Sequence, residues 1–232
     1  MKINSETYKY LKGLSFSSGI KFTFSSKENH ITDRISLIKQ ITHQSKLVHV
    51  GCADHIGLID KKRIKNTWMH DILLKNTNKC IGIDLNAESI EYLRNELKIP
   101  DVFCADITKD TIPEIENENW DFIFLGEMLE HVNDPVMFLK SVKKKFSGII
   151  NKIIISVPNG FCYDNFFNTF KHFELINSDH KYWFSPYTIS KVLAEADMEA
   201  EEIFLCQISK FKNRRFNLKN QLKRFLLNRY PG

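Results

Sequence analysis

Apolar and polar positions along this 232-residue chain follow two rhythms. Short, almost continuous apolar runs occupy 46–50, 79–84, 101–105, 120–126, 152–157 and 201–208, and runs of this length read as strands covered on both faces. Between them, apolar residues recur every three or four positions near 64–76, 86–97, 134–146 and 186–196, which predicts helices. Local signals agree: Asn86 stands as an N-cap before Ala87-Glu88, and Pro135 suits a first helical turn after Asp134. Strand and helix in alternation imply a doubly wound, mostly parallel α/β sheet of six or seven strands with helices on both faces. The stretches 54–68 and 160–183 read as long loops, the second dense in aromatics from Phe161 to Phe173. Such a loop is either a substrate lid or a small satellite core.

The ends of the first two strands carry the chemistry. The run Lys46-Leu-Val-His-Val-Gly51-Cys-Ala-Asp54 is followed about thirty residues on by Cys80-Ile-Gly-Ile-Asp84. A glycine at Gly51 lets the backbone approach a ligand, and a carboxylate at Asp84 accepts both hydroxyls of a ribose. A dinucleotide site would need G-x-G-x-x-G opening a helix, and Gly51-Cys-Ala-Asp-His-Ile-Gly57 does not supply it.

A second constellation follows the fourth strand, in Gly126-Glu127-Met-Leu-Glu130-His131-Val-Asn-Asp-Pro135. In helical geometry Glu127, Glu130 and His131 stand at i, i+3 and i+4 and share a face. A further His-bearing stretch, Asp179-His180-Lys-Tyr182-Trp, comes after the fifth strand, and Asn159 sits in a turn before it. Three readings of the cluster stay open: His131 as a general base polarised by a glutamate, a four-residue site (Glu127, Glu130, His131, His180) for Mg²⁺ or Mn²⁺, or a plain strand-to-helix passage.

Over roughly residues 45–200 the chain resembles class I S-adenosylmethionine-dependent methyltransferases, with Gly51-Cys52, Asp84, Asp106 and the strand Trp120–Gly126 in the family's order. The resemblance implies a Rossmann-like methyltransferase sheet and S-adenosylmethionine as cofactor. It implies a cofactor site of Gly51, Cys52, Ala53, Asp54, Asp84, Leu85, Asp106, Ile107, Gly126 and Glu127. The methionine part would lie against Gly51, the ribose on Asp84 and the adenine beside Asp106-Ile107. His131, Glu127 and Glu130 would carry catalysis, and Asn159, His180 and Tyr182 would meet the acceptor. The Gly-Cys-x-Asp turn is similar to that of methyltransferases of surface-polysaccharide pathways, which implies O-methylation of a sugar or sugar derivative. Glu-x-x-Glu-His with a later His also resembles the metal set of small-RNA 3′-terminal 2′-O-methyltransferases, the alternative enzyme reading. A subunit that binds the cofactor without catalysis is the alternative from another class.

Composition adds boundaries and a charge asymmetry. The length suits one catalytic domain, 46–209, with an N-terminal helical cover over 1–45 and a basic tail over 210–232. No apolar run spans a bilayer and no signal-like segment opens the chain, so a cytoplasmic protein is expected. The five cysteines are scattered without C-x-x-C, as small apolar residues rather than disulfides or zinc ligands. Net charge is +5, yet Lys210 to Gly232 alone holds eight Lys or Arg and no acid, so the rest is net acidic. In that tail Leu218, Leu222, Phe225 and Leu226 recur at helical spacing. The tail is expected either to dock on its own domain or to touch a membrane surface, a glycolipid or RNA. DNA is not expected as a partner.

Overall fold

The computed structural model describes residues 3–23 and 32–207; the basic tail lies outside the described residues. In chain order the elements are α1 (Ser5–Leu11), β1 (Thr32–Asp33), α2 (Arg34–Ile41), β2 (Lys46–Val50), α3 (Ile56–Ile64), α4 (Met69–Asn76), β3 (Lys79–Asp84) and α5 (Ala87–Asn95). They continue with β4 (Val102–Cys104), α6 (Pro113–Glu116), β5 (Trp120–Gly126), α7 (Pro135–Lys145), β6 (Ile150–Ser156), α8 (Tyr163–Phe170), α9 (Pro186–Glu195) and β7 (Cys206–Gln207). They fall into two compact units: Ile35–Leu129 with Phe138–Val157, and Met1–Arg34 with Glu130–Met137 and Pro158–Gly232.

The first unit holds a parallel sheet of order β4-β3-β2-β5-β6. Order reverses at β2, so the carboxyl ends of β2 and β5 mark the topological switch point, the position at which such sheets bind ligands. Leu47, His49, Cys80 and Phe124 share one face, where Leu47, Cys80 and Phe124 pack with Ile38 of α2 and Leu73 of α4. A neighbouring cluster joins Cys52, Ile59, Trp68, Ile90, Leu93 and Val102. Asn86 caps α5 as expected, its side chain accepting from the Ser89 amide at 2.9 Å.

The second unit is built on α1 and α9. Lys191 of α9 donates to the carbonyls of Leu11 (2.7 Å) and Tyr10 (3.3 Å), and Lys12 donates to that of Ala194 (2.9 Å). Ser185 and Thr188 cap α9 reciprocally, with Pro186 in its first turn.

Several expectations need correction. The main sheet has five strands among the described residues, not six or seven. Of the strand expected over 201–208, only Cys206–Gln207 pairs among the described residues, and it pairs with β1 in a two-stranded ladder, because the exposed acidic start at Glu201-Glu202 stays coil. The helix foreseen over 64–76 begins only at Met69, since Asn66 takes a left-handed φ of 52° and Trp68 is extended; the supposed loops 54–68 and 160–183 contain α3 and α8. Residues 127–134 are turn rather than helix. Pro135 disfavours helical backbone at Asp134, whose side chain instead accepts from the Met137 amide (2.9 Å) and starts α7 there.

Candidate functional site

Gly51 leaves β2 with φ +73°, and a Cβ there would meet nothing within 4 Å: the glycine serves the backbone conformation and leaves open space beside it. Its amide and that of Cys52 both donate to the Ile83 carbonyl (2.8 and 3.1 Å), which folds the turn across the end of β3. There Asp84 receives the Ala53 amide on one oxygen and the Asn86 amide on the other, both at 3.0 Å. Each oxygen keeps a second lone pair, the provision a ribose diol needs. Burial pushes the Asp84 carboxyl up, and its backbone hydrogen bonds oppose that shift. Next to it Leu85 is 71% exposed, an apolar surface suited to a flat base. These residues fit an adenosyl group.

Ala53 stands where the resembled family has glycine, and its backbone needs no positive φ, so a Cβ is tolerated. Asp54 is engaged within the unit: it accepts from the His55 amide (3.1 Å) and pairs with Lys62 of α3. Lys62 carries no sequence signal for this contact, because the broken apolar period of α3 reads as loop.

Asp106 turns its carboxylate into its own loop. One oxygen accepts from the Thr108 amide (2.9 Å) and hydroxyl (2.6 Å), and the other pairs with Lys109 (2.9 Å), which brings the carboxyl down to about 2. Ile107 is buried beside it. Lys145 ties this loop down by donating to the carbonyls of Ile107 (3.2 Å) and Asp110 while lying 3.5 Å from Glu116.

At the end of β5, Gly126 admits no side chain, since a Cβ would stand 2.5 Å from the Phe124 ring. Glu127 follows with φ 54°; its amide donates to the Ser156 carbonyl (2.9 Å), and the Ser156 hydroxyl donates to its carboxylate (3.0 Å). Ser156 escaped the sequence reading because the contact joins neighbouring strands.

The second unit assembles Glu130, His131 and His180, one ligand atom of each lying within 4.8 Å of the others; Glu127 is not of this group. The Glu130 side chain is fully buried, His180 Nε2 stands 3.9 Å from its Oε1, and the two imidazoles meet edge-on at 4.7 Å. Lys181 fixes the pairing through its amide to the Glu130 carbonyl (2.7 Å) and its ammonium to Asn133 (2.5 Å). Tyr182 donates its hydroxyl to the Asn133 carbonyl (2.7 Å), so it braces the turn. Asn159 accepts from the Phe161 amide (3.0 Å) and bridges to Phe184.

His49 of β2 and His70 of α4 are buried against each other, Nδ1 to Nδ1 at 3.2 Å. Burial brings the His70 imidazole down to about 4. The thiols of Cys52 and Cys80 are pushed up by burial, Cys80 to about 12, as befits apolar filling. Among the described residues no helix is long and apolar enough to cross a membrane.

Residues 66–146 match the family model of a methyltransferase domain. No curated protein matches. Among solved structures, an S-adenosylmethionine-dependent methyltransferase from Clostridium acetobutylicum is 15% identical, over 54% of this chain and 48% of that one, with a TM-score of 0.39. The small RNA methyltransferase HEN1 is 15% identical over 78% of this chain and 23% of its own, at 0.49. A TehB-like methyltransferase from Corynebacterium glutamicum is 14% identical over 66% and 85%, at 0.40. The chain thus spans about half the length of the first of these and a quarter of the second. The domain match supports a methyltransferase.

Proposed function

We propose that this chain transfers the methyl group of S-adenosylmethionine to a hydroxyl of a small polar acceptor, a sugar or sugar derivative of the kind found in surface glycans. One observation carries the cofactor reading: the Asp84 carboxylate, held by the Ala53 and Asn86 amides, stands beside exposed Leu85 and the open turn at Gly51. The cofactor supplies a methyl on a cationic sulfur that departs as a neutral thioether, so the protein has no leaving group to protonate. Its own tasks are to grip the nucleoside, to align the acceptor and to take the hydroxyl proton.

Asp84 would accept the ribose hydroxyls, Leu85 would offer an apolar surface to the base, and Asp106-Ile107, in the loop tethered by Lys145, would lie beside the adenine. His131 takes the proton, and the buried Glu130 carboxylate with His180 stabilises the imidazolium. The polar side chains around the base support a hydroxylic acceptor, and the glycan assignment rests on the resemblance of the Gly51-Cys52 turn.

A calorimetric titration of S-adenosylmethionine and S-adenosylhomocysteine into the wild type and Asp84→Ala tests the cofactor site. Affinity should fall at least about a hundredfold for both ligands, as expected for two hydrogen bonds to a charged group. Equal affinity in the variant would sink the reading. His131→Ala should bind the cofactor nearly as wild type and lose transfer.

The compactness of Glu130, His131 and His180 favours a second reading, in which they hold Mg²⁺ or Mn²⁺ and the acceptor is the 2′-hydroxyl at an RNA 3′ end. Metal titration into chelator-treated wild type and His131→Ala, with salt-dependent binding of RNA oligonucleotides, separates the two.

A further inference from the structure

Helix α8 turns its aromatic face to solvent. Phe166, Phe167 and Phe170, at i, i+1 and i+4, occupy one arc and touch one another with ring centroids 5.0 to 6.4 Å apart. Despite that contact, Phe166 is 59% and Phe170 68% exposed, so these rings do not form the satellite core expected here. The same character continues on either side, with Phe161 73% and Leu175 71% exposed and Phe173 also outward. The three helical rings alone expose on the order of 300 Å², the size of the largest apolar patch on an ordinary monomer and the mark of an interaction surface.

Charge selects the occupant. Beside the patch Asp164 and Glu174 offset Lys171, and the chain's excess of cations is gathered in 210–232, where eight Lys or Arg accompany an apolar series at helical spacing. A net charge of +5 opposes a second copy and favours an anionic surface. Stable peripheral attachment takes two signals, an inserted apolar face and a basic segment, and both are present. We infer that the aromatic face of α8, with Phe161 and Leu175, docks on an anionic lipid surface, the rings entering the boundary between headgroups and acyl chains while the basic tail supplies the attraction. This inference is independent of methyl transfer.

The full chain is sedimented with vesicles of phosphatidylcholine alone and of phosphatidylcholine with phosphatidylglycerol, at low and high salt. Binding should be at least about tenfold tighter to the anionic vesicles and weaken with salt. Phe166→Ser/Phe170→Ser, and separately Phe161→Ser/Leu175→Ser outside the helix, should each cost at least about tenfold with circular dichroism and cofactor affinity unchanged. Lys223→Gln/Arg224→Gln should reduce the preference for anionic vesicles. Absence of binding to both vesicle types overturns the inference. So does undiminished binding in both aromatic variants, or a dimer that these variants dissociate without any effect on vesicles.

Discussion

Replacing Gly82 with alanine tests whether the turn at Gly51 is supported from below as the packing indicates. A Cβ built at this β3 position would stand 2.7 Å from Cys52 Sγ, 2.8 Å from His70 Cε1 and 2.9 Å from Cys52 Cβ. Both neighbours are buried, and neither offers the loose end of a flexible side chain. The backbone at Gly82 lies in a regular strand, so φ is no obstacle, and alanine would by itself gain about 0.5–1 kcal/mol from the unfolded chain. Overpacking costs about 1–3 kcal/mol or somewhat more in a site that cannot yield, so a net loss of roughly 1–2 kcal/mol is expected. For a protein of this size that lowers Tm by about 3–8 °C.

Displacement of Cys52 also reaches the site, because the next residue is Ala53, whose amide holds Asp84. Thermal and urea unfolding should be followed for wild type, Gly82→Ala and Gly57→Ala, the last a control at which a Cβ meets nothing within 4 Å. Cofactor affinity is measured on the same samples. Adding Cys52→Ala to Gly82→Ala should recover part of the loss, a non-additivity that reports the contact itself. A Gly82→Ala protein as stable as wild type would refute the reasoning.

Two further outcomes follow from the same unit. His70 has its folded-state pKa lowered from 6.5 to about 4 by burial, so the unfolded chain binds the proton first as pH falls. The neutral imidazole therefore contributes its full stability above pH 6.5, and that contribution, about 3 kcal/mol, is lost as pH falls toward 4; urea unfolding from pH 7 to 4 should show the slope, and His70→Phe should flatten it. Lys145→Met removes the donor to the Ile107 and Asp110 carbonyls and should weaken S-adenosylmethionine and S-adenosylhomocysteine alike by about fivefold, since the proposed site puts this loop beside the nucleoside they share; calorimetry showing unchanged affinity for both would contradict that placement.

What could be read from the sequence was local. The strands Lys46–Val50, Lys79–Asp84 and Trp120–Gly126 have the predicted bounds because each is an apolar run closed by a glycine or a carboxylate, and Asn86 caps α5 because an N-cap acts within three residues. Helix α3 was opaque: Gly57 and the run Asp60-Lys-Lys-Arg63 break its apolar period, and it is anchored instead by Ile59 in the core and by Lys62 on Asp54. Ser156 and Lys145 reach the site from 29 and 35 or more residues away, through β6 and α7, and no spacing rule encodes such contacts. The missing sixth strand belongs with these, because pairing of 206–207 was decided by Thr32–Asp33 rather than by its own composition.

The string Glu127-x-x-Glu130-His131 shows how one wrong local premise changes a chemical reading. On a helix the two carboxylates and the imidazole would form one face, and either a metal site or a base could draw on all three. Pro135 was the contrary signal in the sequence, since it disfavours helical backbone at Asp134 and leaves room for a turn from 127. With the turn in place the carboxylates divide: Glu127 closes β5 by bonding Ser156 of β6, while Glu130 is fully buried among His131 and His180. A fully buried carboxylate next to two imidazoles is costly unless it is charge-compensated, and a proton on one imidazole or a divalent cation each provides that compensation. The two proposed mechanisms are therefore alternative answers to a single electrostatic demand, and both assign it to Glu130 rather than to Glu127.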